Sequence, residues 1–307
     1  MRIWFTADLH HGVTVDGRDL TAPLAQWCLE RARPGDVLVL GGDVACGDAR
    51  GFEDALRAFE RFPGPRAVVA GNHDLWSSPG EGLGSDRLHE TLLPEVAKES
   101  GFVWLEHEPL RVAGAADAGG GWAIAGGFGG FDFSLADPLL ADLDPEERGR
   151  VREGWRTGRF APFFWNDYRY SWRSDGSPWE HAAVCRAQIE RLAAHLEALE
   201  RDPAVEHVVV VTHTAAHLEQ AIGHPDGRDA PACRNAWFLG LSGSRALGET
   251  ISRFSKTRLS LVGHTHHERS YRSPDGRGWY NVGCDYDRKR WLIVETGGGV
   301  HTSPWIR

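Results

Sequence analysis

Three short apolar runs near the start of the chain, residues 2–7, 37–40 and 67–70, each lead into polar groups: Asp8 and His10, Asp43, and Asn72 with His73. The stretches between them read as helices. Residues 22–32 place Leu24 and Cys28 one turn apart, and residues 52–62 repeat Phe52, Leu56, Phe59 and Phe62 at spacings of three and four. Pro34-Gly35 and Pro63-Gly64-Pro65 stop the two helices. A β-α-β-α-β run of this kind predicts an α/β fold with parallel strands, and open sheets of that class bind ligands at the carboxyl edge. One polar residue after a strand is an ordinary loop residue. Three in succession predict a shared site. Within it, Gly71 is expected to allow a turn that a residue with a Cβ would resist.

The pattern recurs farther on. The valine run at 208–211 has His213 two residues beyond it, and residues 259–262 run into Gly263-His264-Thr265-His266. Residues 180–201 form an amphipathic helix with Ile189, Leu192, Leu196 and Leu199 on one face. Residues 86–99 and 243–254 read as further helices, and 279–283 and 291–296 as short strands that complete the sheets. Glycine-rich stretches at 119–121 and 126–130 show little periodicity and precede no clear helix, so they do not read as a phosphate-binding loop. No repeat or linker divides the chain. Residues 1–307 are read as one domain, with an insertion at about 131–180 where the composition shifts to aromatics and arginines.

Asp8, His10, Asp43, Asn72, His213, His264 and His266 offer seven oxygen and nitrogen donors with no thiolate among them. Seven exceed what one tetrahedral zinc site takes. Mixed imidazole and carboxylate donors suit two divalent ions such as Mn²⁺, Fe²⁺ (or Fe³⁺) or Zn²⁺. With one carboxylate bridging, the ions would sit roughly 3.5–4 Å apart and share a water that they acidify. His264 and His266, alternating on an extended backbone, would both face the ions while Thr265 points away. The remaining histidines divide in two. His89, His107, His181, His195, His207, His224 and His301 read as surface or core residues, while His11, His217 and His267 flank the motifs.

The ordered set D-x-H, G-D, G-N-H-D, H and G-H-x-H, spanning Asp8 to His266, resembles the calcineurin-like metallophosphoesterase superfamily. That resemblance implies a four-layer αββα sandwich of two mixed β-sheets flanked by helices. It also implies ligand roles: Asp8, His10 and His266 for one metal, Asn72, His213 and His264 for the other, and Asp43 as the bridge. His73 would be a catalytic residue beside the scissile phosphate. The expected reaction is phosphoester hydrolysis, with a hydroxide shared by the two ions attacking phosphorus in line. One departure stands out. Protein phosphatases of the superfamily carry G-D-x-V-D-R-G, whereas this chain reads Gly42-Asp43-Val44-Ala45-Cys46-Gly47-Asp48. The carboxylate that would orient His73 is missing, and Asp48 and Asp74 are the candidates to replace it. A protein-phosphatase reading is disfavoured accordingly.

Charge and cysteine content narrow the partners. A net charge of −9 argues against a surface built for nucleic acid or anionic membrane. Five cysteines with no C-x-x-C pair fit reduced thiols in a cytoplasmic protein, and no apolar run reaches spanning length. The N-terminus leads straight into a strand, leaving no room for a signal peptide. The insertion runs against the overall charge: residues 148–173 hold seven arginines and two acids, interleaved with eight aromatics. Guanidinium groups pair with phosphate and aromatic faces stack on bases. Arg156, Arg159 and Arg169 are therefore candidate substrate contacts, although a packed cap with solvated arginines explains the same composition. The expected substrate is a small phosphodiester or a nucleotide, with a phosphomonoester as the alternative enzyme reading. A non-catalytic scaffold that keeps the fold is the alternative outside enzymes.

Overall fold

The computed structural model describes residues 1–77, 83–112, 120–221 and 231–307. Gly119 and His224 lie outside the described residues. The chain enters through β1 (Arg2–Thr6), β2 (Val37–Gly41), β3 (Arg66–Val69) and β4 (Val103–Trp104). It passes to a second sheet with β5 (Leu110–Val112) and β6 (Gly121–Gly127), then makes a small hairpin of β7 (Arg159–Phe160) and β8 (Phe163–Phe164). The second sheet resumes with β9 (Val205–Thr212), β10 (Thr257–Val262), β11 (Arg269–Arg272) and β12 (Gly278–Asn281). The chain ends on the first sheet with β13 (Leu292–Glu295) and β14 (Gly299–Thr302).

Strand order is β14-β13-β1-β2-β3-β4 in one sheet and β11-β12-β10-β9-β6-β5 in the other. Each holds four parallel strands with antiparallel strands at its margins. The parallel strands are buried on both faces, as their unbroken apolar runs require. Ile3, Phe5, Val37, Val39, Ala67 and Val69 of the first sheet meet Ile124, Val209, Val211 and Leu261 of the second. Outside the first sheet lie Leu24 and Cys28 of the helix Thr21–Leu29 and Phe52 and Leu56 of Ala49–Arg57. Outside the second lie Leu192, Leu196 and Leu199 of His181–Arg201 and Leu247 and Ile251 of Arg245–Ser252. The four layers are those of the expected αββα sandwich.

Two local readings change. The glycine-rich stretch with no clear periodicity contains β6, which pairs with β9 in the middle of the second sheet. Its glycines hide the strand signal because the chain needs close approach: a Cβ on Gly126 would strike the Val211 carbonyl. The insertion packs as a fourth cluster, in which Phe131, Leu140, Val151 and Trp155 bury against Cys233, Ala236 and Trp237 of the helix Ala232–Gly240. Its core is thus shared with a segment well past residue 180.

A buried ion pair joins the sheets near their carboxyl edges. The helical stretch from Ser85 to Glu99 contains a π turn at Leu88–Leu92, and His89 within it bonds Glu106. The other oxygen of Glu106 accepts from the Phe128 main-chain N–H at 2.9 Å. Burial alone would keep His89 neutral, but Glu106 outweighs it and raises the imidazole from 6.5 to about 9. A raised folded-state value means the stabilisation is complete below the unfolded value near 6.5 and is lost as pH rises through about 9. Urea denaturation should therefore show stability falling between those limits, with a shallower fall in His89→Gln. Equal slopes in parent and variant would remove this pair as the cause.

Candidate metal centre

The seven predicted donors come from five loops, and those loops share one edge. Asp8 and His10 follow β1, Asp43 follows β2, Asn72 follows β3, His213 follows β9, and His264 and His266 follow β10. Main-chain bonds tie the first two loops together, from Asp8 N–H to Gly42 O at 3.0 Å and from His10 N–H to Asp43 O at 2.8 Å. Buried Lys289 donates to the Asp8 carbonyl. Asp8, His10, Asp43, His264 and His266 all have left-handed backbone, with φ of 56, 47, 50, 70 and 57°. Non-glycine residues adopt this conformation at a cost and chiefly where function requires it. His264 and His266 are therefore not on extended backbone as the motif suggested. Two left-handed residues turn both rings inward, and Thr265 accepts from the Asn281 amide.

The motif glycines serve close approach. A Cβ on Gly71 would collide with Asp43, and one on Gly263 with Asp8. Gly71 itself does not take a left-handed turn, so its role differs from the expected one.

Three of the four ligand-type histidines anchor one ring nitrogen and turn the other into the cluster. His213 Nδ1 lies 2.9 Å from the Gly41 carbonyl, while its Nε2 lies 3.1 Å from Asn72 Oδ1 and 3.3 Å from Asp43 Oδ1. His264 Nε2 lies 3.1 Å from the Leu241 carbonyl, while Nδ1 lies 3.0 Å from Asn72 Oδ1. His266 Nδ1 lies 3.1 Å from Asp285 Oδ1, leaving Nε2 3.3 Å from His10 Nε2 and 3.6 Å from Asp8 Oδ1. Anchoring one nitrogen to a carbonyl or carboxylate is how metal-ligating imidazoles are held in one tautomer. Ligand atoms of Asp8, His10 and His266 lie within 4.8 Å of one another, as do those of Asp8, Asp43 and His213.

The electrostatics fit a cation. Asp8 Oδ2 is buried with no hydrogen-bond partner. Burial raises the Asp8 carboxyl above its usual range. Asp43 stays well below the usual range although burial opposes it, because His213 and His73 surround it. His213 in turn is raised to about 9, its burial outweighed by Asp43. Burial pushes His264 down to about 4 and His10 well below its usual value, so both favour the neutral, ligating form. An orphaned carboxylate oxygen among lone pairs of mixed N and O donors suits the divalent ions expected from the sequence.

His73 sits at the rim. Its Nε2 is 3.9 Å from Asp43 Oδ2, and its main-chain N–H donates to Asp43 Oδ1 at 2.8 Å. Its ring stacks on Trp76 with centroids 3.7 Å apart. Neither proposed orienting carboxylate reaches it. Asp48 caps the helix Ala49–Arg57, and Asp74 accepts from the main-chain N–H groups of Val44, Ala45 and Gly71. The partner of His73 Nδ1 is Cys46 Sγ, at 3.5 Å. Counting along Gly42-Asp43-Val44-Ala45-Cys46 places this thiol where the phosphatase motif has its second Asp, a signal already present in the sequence.

The insertion reaches the centre by a residue that the sequence reading counted only as a charge. Buried Asp167 accepts from the Asn72 amide at 3.0 Å. Asp285, Trp76 and Tyr286, which stacks on His10 at 4.4 Å, also went unread, since none belongs to a motif. The three arginines diverge. Arg169 lies over Tyr170, which packs on Trp76. Arg156 is exposed and paired with Glu153. Arg159 lies over Phe164 and lines an open groove of about 520 Å³, none of whose lining residues is a candidate ligand. Of the flanking histidines, His11 pairs with Asp19 and His217 stacks on Tyr271.

Known proteins resemble the chain in part of its sequence and in its fold. The chain is 35% identical to the Gene 66 protein of Mycobacterium phage D29 over 79 residues, 24% of this chain, and that match spans 40% of the relative's length. The phosphopantetheinyl hydrolase of Mycobacterium tuberculosis superposes with a TM-score of 0.64 at 23% identity, covering 92% of this chain and 89% of that one. A dimetal phosphatase from Danio rerio gives a TM-score of 0.50 at 15% identity, covering 98% of each chain. These two structures share the fold. A family model described as calcineurin-like phosphoesterase matches residues 1–268, and the chain belongs to that family.

Proposed function

We propose that this chain hydrolyses a small phosphodiester or a nucleotide with two divalent ions in its cluster of seven donors. The observation that carries the reading is the convergence of those donors at one sheet edge, where Asp8 Oδ2 is buried without a partner and His73 Nε2 lies 3.9 Å from Asp43 Oδ2. Asp8, His10 and His266 would hold one ion, and Asn72, His213 and His264 the other. Asp43 is oriented to serve both, with Oδ1 near His213 and Oδ2 3.8 Å from His10 Nε2. Two such ions, of which Mn²⁺ is one suitable kind, supply Lewis-acid stabilisation of phosphoryl oxygens and an acidified water as nucleophile.

The chain's own residues complete the reaction. Burial pushes the Cys46 thiol up to about 12, so it keeps a proton that it can donate to His73 Nδ1. With the thiol as donor, the His73 proton is on Nε2, where it can donate to the departing oxygen. Trp76 and Tyr170 present aromatic faces beside His73, and Arg169 lies over Tyr170. This wall supports an ester with a second substituent to hold, such as a nucleoside or a phosphopantetheinyl group, and we assign Arg169 to it. Among the described residues no helix is long and apolar enough to cross a membrane, and all five cysteines are free. Free thiols support a place in the reducing cytoplasm.

Metal content tests the ligand roles. Elemental analysis should find two ions in the parent, one in Asn72→Ala, and loss from both sites in Asp43→Ala; two full sites in Asp43→Ala would remove it as the bridge. His73→Ala should keep both ions yet lose turnover by roughly a hundredfold or more. Kinetics across a leaving-group series should show a smaller loss with nitrophenolate, and an unchanged rate would take His73 out of the mechanism. On the same panel, Arg169→Ala should lower kcat/KM for a nucleotide diester and spare a small aryl ester. Parental values on both substrates would leave Arg169 outside the wall.

A further inference from the structure

Asp167 lies in the insertion, 95 residues from Asn72, and is 1% exposed. Its carboxylate accepts three hydrogen bonds, all from neutral groups. Asn72 Nδ2 and Trp76 Nε1 reach Oδ1 at 3.0 and 2.6 Å, and Trp165 Nε1 reaches Oδ2 at 2.7 Å. Burying a carboxylate without a cation beside it is costly. A group of the same shape that needs only to fill space would be Asn. Only a carboxylate accepts on both oxygens, however, and here every donor points inward.

The Asn72 amide explains why acceptors are needed. Its Oδ1 faces His213 Nε2 and His264 Nδ1, whose other ring nitrogens face the carbonyls of Gly41 and Leu241. In the neutral tautomers that ligation of a cation requires, both rings turn lone pairs towards Oδ1. Three acceptors facing one another repel, and the amide could relieve this by rotating half a turn to offer its NH₂ to the rings. Rotated, its oxygen would face Asp167 Oδ1. Asp167 thus holds the amide in the orientation that leaves an acceptor triad for a cation. The same oxygen holds Trp76, on which His73 stacks, and Trp165 packs edge-on to His264 at 5.8 Å.

We propose that Asp167 is a positioning residue for the metal site of Asn72, His213 and His264, and that the insertion contributes to the reaction by supplying it. The inference rests on the ligand role of Asn72 proposed above. Asp167→Asn places an amide against the Asn72 amide and frees Asn72 to rotate. Its affinity for Mn²⁺ at one of two sites should fall by about ten- to a hundredfold, the usual size of such outer-shell effects. The other site should bind as in the parent.

The decisive variant is the swap Asn72→Asp with Asp167→Asn. The amide introduced at position 167 would then donate to one oxygen of the carboxylate introduced at position 72 and leave the other oxygen for the cation. Mn²⁺ titration followed by paramagnetic resonance, with circular dichroism as a check on folding, should give two sites in the parent, one tight site in Asp167→Asn, and two again in the swap. A parent that binds fewer than two ions would defeat the dinuclear reading itself. A two-site parent with an Asp167→Asn variant of equal affinity overturns this inference alone. So does a folded swap that binds a single ion, and the swap carries the test if the single variant does not fold.

Discussion

The arrangement depends on placing seven lone-pair donors within reach of one another in a buried space. His10 and His266 bring their Nε2 atoms to 3.3 Å, Asn72 Oδ1 faces two imidazole nitrogens, and Asp8 Oδ2 meets no donor. Such a cluster is repulsive in itself, and five of its members sit in left-handed backbone. Positive charge is the natural remedy. Without a cation, protonation of His213 supplies part of it, which is why Asp43 raises that ring to about 9. Divalent ions would supply the rest and displace that proton, so binding and proton release are linked.

The fold is shaped to bring those donors together. Two mixed sheets pack face to face, so the carboxyl ends of the parallel strands β1, β2 and β3 meet those of β9 and β10. Close approach at Gly71 and Gly263 lets the loops touch, and the buried His89–Glu106 pair ties the sheets beside them. The insertion then braces the centre from outside the sandwich: Asp167 reaches Asn72 and Trp76, and Trp165 packs against His264. Scaffold and insertion thus share one polar network.

Much of this was legible in the chain, because ligand loops follow strands and strands of four or more apolar residues announce themselves. Asp8, His10, Asp43, Asn72, His213, His264 and His266 were all readable from motif and spacing, and the structure brings them to one edge. What escaped were contacts made at long range. Asp167 is one carboxylate in an arginine-rich stretch, and nothing local reveals that it faces Asn72. β6 was hidden because its glycines, needed for close packing, erase the alternation that marks a strand. Cys46 was readable by register against the phosphatase motif, yet a thiol is not the expected partner for an imidazole. The extended geometry assigned to residues 264–266 failed because period-two alternation is only one way to aim two rings together.

The central claim is that two ions occupy this cluster with Asp43 between them. Anomalous diffraction from crystals grown with Mn²⁺ tests it directly. The account predicts two peaks roughly 3.5–4 Å apart, one bounded by Asp8, His10 and His266 and the other by Asn72, His213 and His264. A single peak, or peaks away from these residues, would contradict it.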